Sequence, residues 1–262
     1  MRLYFAAAES ALKELASVKC SNILISMANG EKKIPTVGNY FSEYNLIIDS
    51  GAFTYYKKGG IELDKWIEKA EKIIVPNSEL IGLDVIGNAK ESFNNYQIIK
   101  ERFPFAIPTF HVGSDIKYLF EYLKHTNRIA IGGMVPYKSE IETLKKYLNE
   151  IFKNFSFNNM PKFHAFGYFS PNILENYPFY SADASTWQNY SRFGEFHRFN
   201  KTEYKRMKSL NVEPLNPIGL SIDDIYIYSL NSPELKLQAI SEAVKKYEFY
   251  LTYLWKTRGM NF

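Results

Sequence analysis

Eight short apolar runs, each followed by a polar or amphipathic stretch, constrain this 262-residue chain more than any other feature. The runs span 2–8, 22–27, 45–50, 79–86, 105–112, 128–135, 162–169 and 180–185. Apolar runs of this length suit parallel strands buried on both faces. Between them, 61–75, 90–103, 114–125 and 137–153 carry apolar residues at helical spacing. Ser114 is placed to cap a helix N-terminus, and Pro136 to break strand into helix. Eight strand-then-helix units predict an α/β fold, a (β/α)8 TIM barrel. A doubly wound open sheet is the alternative, and it usually has fewer strands.

After the eighth run the rhythm changes. Residues 187–232 are polar and basic, with Arg192, His197, Arg198, Lys201, Lys205, Arg206 and Lys208. Residues 234–257 then read as one long closing helix. The expectation is a single TIM-barrel domain over 1–262, with 187–232 inserted between last strand and last helix, above the barrel mouth. The charges of the insertion fit a solvated surface or a phosphate-binding lip equally well. The formal charge of +4 permits a nucleic-acid partner without demanding one.

Other classes are narrowed by composition. Cys20 is the only cysteine, which rules out an intrachain disulfide and a cysteine zinc cluster. His125, His164 and His197 lack metal-ligand spacing, so no metal and no cofactor are assigned. The N-terminal apolar run passes directly into Glu-Ser-Ala-Leu-Lys-Glu-Leu, the pattern of a strand and helix rather than a signal peptide. No run approaches the ~20 residues that span a bilayer. A soluble protein with no membrane partner, cytoplasmic, is expected. The 20 Tyr and 20 Phe mainly read as core filler in an Ile-, Lys- and Asn-rich chain.

In a barrel of this kind the active site lies at the C-terminal strand ends. That rule selects Asp49 and Ser50 on the third strand, Asp84 on the fourth and His111 on the fifth. It adds Gly132 and Gly133 on the sixth, Phe166 and Gly167 on the seventh, and Asp183 on the eighth. One Asp at a strand end usually caps a turn. Three at the tops of one barrel point to shared chemistry. Two carboxylates flanking an anomeric carbon divide into a nucleophile and a proton handler. A third can accept the N1–H and exocyclic NH2 of guanine, a donor pair that adenine lacks. Glycines at a strand end let backbone N–H groups approach a ligand. His111 alone is more often a hydrogen-bonded structural histidine. The Asp223-Asp224 pair reads as a cap or turn, and Gly59-Gly60 as a loop.

Together these motifs resemble the tRNA-guanine transglycosylase superfamily. Asp49-Ser50-Gly51-Ala52-Phe53-Thr54 is similar to its Asp-Ser-Gly-Gly-aromatic-Gln motif, and Gly82-Leu83-Asp84 to the segment carrying its base-recognition aspartate. Phe110-His111-Val112-Gly113 resembles its Val-Gln-Gly-Gly segment, and Ile131-Gly132-Gly133-Met134-Val135 its Gly-Gly-Leu-Ala segment. Ala165-Phe166-Gly167-Tyr168-Phe169-Ser170-Pro171 is similar to its Leu-Met-Gly-Val-Gly-Thr-Pro, and the order places Asp183 on its nucleophilic aspartate. The resemblance covers roughly 45–190.

The resemblance implies base exchange. Asp183 would attack C1′ of a guanosine-type nucleotide and displace guanine, leaving a covalent ester. A 7-deazaguanine, deprotonated with help from Asp49, would then take guanine's place. Phe53 and Phe166 would sandwich the base, while Asp84, Gly133 and His111 would read its polar edges. Leaving and arriving bases would take turns in one slot, so ping-pong kinetics follow. The target nucleotide would have to be flipped out of its stack. Family members commonly dimerise, which carries over as an expected homodimer.

The departures matter as much. Members acting on tRNA carry a zinc subdomain of three cysteines and a histidine between last strand and last helix. Residues 187–232 contain no cysteine, and Thr54 stands where the family has Gln. A shorter, zinc-free chain resembles the viral branch, which places 7-deazaguanines in DNA. DNA is therefore favoured over tRNA, in the host cell cytoplasm if the chain is viral. Arg192, Arg198, Lys201, Lys205 and Arg206 would hold the strand by its phosphates. The apolar Met134 and Val135 suit an uncharged 7-substituent such as a nitrile better than an ammonium. The rivals are the same exchange on tRNA, a glycosidase using water, and a non-catalytic partner subunit.

Overall fold

The computed structural model describes residues 1–188 and 233–260. It shows an α/β fold built on one eight-stranded, all-parallel, curled sheet. The strands are β1 (Arg2–Ala6), β2 (Asn22–Ser26), β3 (Asn45–Asp49), β4 (Ser78–Leu80), β5 (Thr109–His111), β6 (Arg128–Gly132), β7 (Lys162–Ala165) and β8 (Ser181–Ala184). Their order is β4-β3-β2-β1-β8-β7-β6-β5, which is compatible with a (β/α)8 arrangement. The strands are shorter than the apolar runs, because most runs continue past their last ladder bond into the loop above, while the run 105–112 loses 105–108 before β5 begins.

The two ends of the order meet through an isolated parallel bridge, Ile81 to Ile107, rather than a ladder. Ile107 N–H donates to the Leu80 carbonyl at 2.8 Å, and Gly82 N–H donates to the Ile107 carbonyl at 2.9 Å. Pro108 follows directly and has no N–H to give, so the pairing stops there. The regular strand pairing expected all round a barrel is therefore broken at this seam.

Helices pack outside the sheet because each buries one stripe. In α4 (Leu63–Ile73) the buried stripe is Trp66, Ile67, Ala70 and Ile73. In α7 (Ile141–Phe152) it is Leu144, Leu148, Ile151 and Phe152. The shorter helices are α1 (Leu12–Ser17), α2 (Met27–Gly30), α3 (Ala52–Lys57), α6 (Lys117–Leu123) and α8 (Pro171–Leu174). In α5 (Ala89–Arg102) the Asn88 side chain caps the start by accepting from Glu91 N–H. Ser114, expected as the cap of α6, lies outside it. The Asp115 carboxylate accepts the Lys117 N–H instead, at 3.0 Å. The closing helix α9 (Pro233–Thr257) docks beneath β1. There Glu248 Oε1 accepts from Leu3 N–H and Asn22 Nδ2, both at 2.9 Å.

Alternate strand residues face inward, as the two-residue period requires. Tyr4, Ala6, Leu24, Ile47, Ile81, Ile107 and Ala130 form an inner apolar cluster, with Phe166 against it. Two larger clusters fill the space between sheet and helices. At the N-terminal strand ends the inner layer turns polar. The Arg128 guanidinium forks onto Glu79, Nε to Oε1 at 3.0 Å and Nη2 to Oε2 at 2.9 Å. Burial opposes ionisation of Glu79, but the fork outweighs it and holds that carboxyl below its ordinary value. This end is therefore plugged, and the opposite end carries the site. Among the described residues no helix is long and apolar enough to cross a membrane.

Candidate active site

The three carboxylates singled out from sequence converge at the C-terminal strand ends. Asp49 is the last residue of β3, and the chain turns sharply after it. Gly51 adopts φ +74°, and a Cβ there would stand 2.6 Å from the Ala28 Cβ. Gly51 N–H donates to Asp49 Oδ1 at 3.0 Å, and Trp66 Nε1 anchors the turn through the Ser50 carbonyl at 2.9 Å. Asp49 keeps part of its surface accessible. Its carboxyl is nevertheless pushed up to about 7 by burial, with the charges of Asp183 and Asp84 adding to the effect and the Gly51 N–H opposing it. Asp49 thus feels both other carboxylates.

Asp84 lies four residues beyond β4 and is buried. His111 Nε2, at the end of β5, meets its Oδ2 at 2.9 Å. The buried Ser50 hydroxyl stands 3.5 Å from Oδ1, the outer limit of a hydrogen bond. His111 therefore orients Asp84, a role beyond the base contact expected from sequence. Gly132 makes room for this pair, since a Cβ there would lie 2.9 Å from the His111 ring and 2.8 Å from Thr109 Cγ2. Gly133 follows at φ +73°, a conformation that turns the chain away from β6.

Asp183 points inward from β8 and is buried. Its Oδ1 receives Gly167 N–H at 2.6 Å and faces His164 Nε2 at 3.1 Å. Phe166 is half-buried against the inner cluster. Phe53, on α3, exposes 61% of its surface, with Lys57 Nζ 4.2 Å from the ring centroid. Beyond Asp183 the chain is pinned back onto β1: Trp187 Nε1 donates to the Ala6 carbonyl at 2.8 Å, and Gln188 Nε2 to the Ala7 carbonyl at 3.0 Å.

His164 is the residue that sequence reading passed over. It lies mid-strand in β7 and has no metal-ligand spacing. The signal that finds it is the inward period, since His164 in β7 and Phe166 just past its end are two residues apart, as Ser181 and Asp183 are in β8. Among the described residues no group of three or more His, Cys, Asp or Glu is set to hold a metal ion. Arg192, Arg198, Lys201, Lys205 and Arg206, proposed for phosphate contact, lie outside the described residues.

Chemically, the arrangement offers three carboxylates in three different settings. One is paired with His111, one has an oxygen held between the Gly167 N–H and the His164 ring nitrogen, and one has its carboxyl pushed up to about 7. In comparisons with known proteins, no family model matches the chain and no curated protein matches it in sequence.

Proposed function

We propose that the chain is a base-exchange transglycosylase, replacing guanine in nucleic acid with a 7-deazaguanine. The observation that carries this reading is the division of labour among Asp49, Asp84 and Asp183 at one mouth. Asp183 Oδ2 attacks C1′ as the C1′–N9 bond breaks, and the bonding pair leaves with guanine. A proton from Asp49, whose carboxyl titrates near 7, neutralises the departing base. The incoming 7-deazaguanine returns a proton from its N9 to Asp49. N9 then attacks C1′, and the C1′–O bond breaks to regenerate the Asp183 carboxylate. Two inversions give retention, with no external energy source.

Asp84, held by His111, accepts the N1–H and NH2 of the base. Phe53 and Phe166 stack on its faces. We read the sheet as a closed (β/α)8 barrel in function, supported by the bridge between Ile81 and Ile107. DNA is the favoured acceptor because 187–232 offers no cysteine for a zinc subdomain, and its basic residues suit phosphates. A homodimer and a nitrile-bearing base extend the same reading.

The test is incorporation of a labelled 7-deazaguanine into single-stranded DNA, duplex DNA and tRNA side by side. Label in DNA is expected. Label in tRNA alone would overturn the choice of acceptor. Label nowhere, with guanine released, would make the protein a glycosidase. Neither label nor release would leave a partner subunit.

A further inference from the structure

A buried polar chain runs the length of the inner face from the plugged end to Asp183, and base exchange as drawn above does not use it. Arg128 Nη1 donates to the Ser181 hydroxyl at 2.9 Å. The Ser181 hydroxyl meets His164 Nδ1 at 2.8 Å, and His164 Nε2 meets Asp183 Oδ1 at 3.1 Å. The direction of each bond follows from the donors available. An ionised Asp183 carboxylate can only accept, so His164 Nε2 carries the proton and donates to Oδ1. In a neutral ring Nδ1 is then the acceptor, and it takes the proton of the Ser181 hydroxyl, whose oxygen accepts from Arg128.

We infer that His164 is a positioning residue for Asp183: as the neutral Nε2–H tautomer it fixes Oδ1, together with Gly167 N–H, and leaves Oδ2 as the attacking oxygen. The inference rests on Asp183 being the nucleophile. The groups that face the ring pull both ways, and burial decides for the neutral form. Burial pushes the imidazole below its ordinary value, against the pull of Asp183. The Arg128 charge opposes a second cation, while Glu79, which would favour one, is taken up by the Arg128 fork. The Tyr4 ring packs edge-on at 6.0 Å and the Phe166 ring lies tilted at 6.0 Å, walling the imidazole off from water. Burial also pushes the Tyr4 hydroxyl up to about 12, so it adds no charge.

The experiment combines two readouts on the full chain. First, nitrogen-15 resonances of selectively labelled histidine report the tautomer without substrate. His164 is expected neutral with Nε2 protonated from pH 8 to pH 7. Second, single-turnover ester formation on guanine-containing single-stranded DNA is compared in His164→Leu and His164→Gln. Leucine removes the donor and is expected to slow the step about 100-fold, with affinity for the free base unchanged. Glutamine restores an N–H near Oδ1 and is expected to recover about tenfold or more. A protonated or Nδ1–H His164 in the wild type would overturn the inference. So would an unchanged rate in His164→Leu, or glutamine as slow as leucine. Wild-type protein that forms no ester on any nucleic acid would overturn the nucleophile itself, a separate failure.

Discussion

At the scale of single residues, the site works by giving three identical side chains different surroundings. Asp49 carries the clearest consequence. Its carboxyl titrates near 7 in the folded protein against an ordinary 3.8. Between these values the folded state holds a proton that the unfolded chain has released, so stability falls as pH rises through that window. Asp49→Asn removes the penalty. It should stabilise the protein by about 2 kcal/mol at pH 8 and by little at pH 4, read by urea unfolding. The same variant should abolish exchange, as expected where function and stability conflict. Asp84→Asn removes one neighbouring charge, so the Asp49 carboxyl should titrate lower, read by carboxyl carbon resonances. The three aspartates were legible in the sequence because each is a polar residue closing an apolar run. His164 was not, because one histidine inside a strand gives no spacing signal until the neighbouring strand is in register.

At the scale of elements, the loops after β3 and β6 aim the side chains. Gly51 is held at φ +74° against Ala28, so Gly51→Ala should cost about 1–3 kcal/mol in unfolding free energy and misplace Asp49. Gly132→Ala should act differently. A methyl group there meets the His111 ring, so base affinity should fall while the unfolding midpoint shifts less than in Gly51→Ala. Titration calorimetry with a free 7-deazaguanine checks it. The existence and order of strands and helices were readable from period alone, whereas their ends were not. β4 and β5 each keep three residues, far fewer than their apolar runs of 79–86 and 105–112. The lost length is chain that turns outward to deliver Asp84, or chain interrupted by Pro108. Ser114 failed as a cap because Asp115, one residue nearer the helix, reaches the same backbone donors.

At the scale of the whole molecule, the sheet is polar at one end, apolar in the middle and acidic at the other. The Arg128–Glu79 fork lies at the plugged end, with the Arg128 side chain 10% and the Glu79 side chain 38% exposed. Arg128→Met leaves Glu79 within reach of water but takes a donor from the Ser181 hydroxyl and the Lys162 carbonyl, so it should cost about 1–3 kcal/mol. It should also disturb His164 through Ser181. The seam between β4 and β5 is the weakest line of the sheet. Amide protons of Ile107 and Gly82 should exchange faster than those between β2 and β3, where five residue pairs are in register. The eightfold alternation was plain in the sequence. The seam was not, because it depends on where Pro108 falls relative to a pair 26 residues apart in the chain, Ile81 and Ile107.

Base exchange as proposed requires Asp183 as the nucleophile. The most direct test is mass spectrometry of the protein after denaturing quench with guanine-containing single-stranded DNA. A nucleotide adduct on the peptide bearing Asp183, absent in Asp183→Asn, is the predicted result. An adduct on Asp49, or base exchange proceeding in Asp183→Asn, would contradict it.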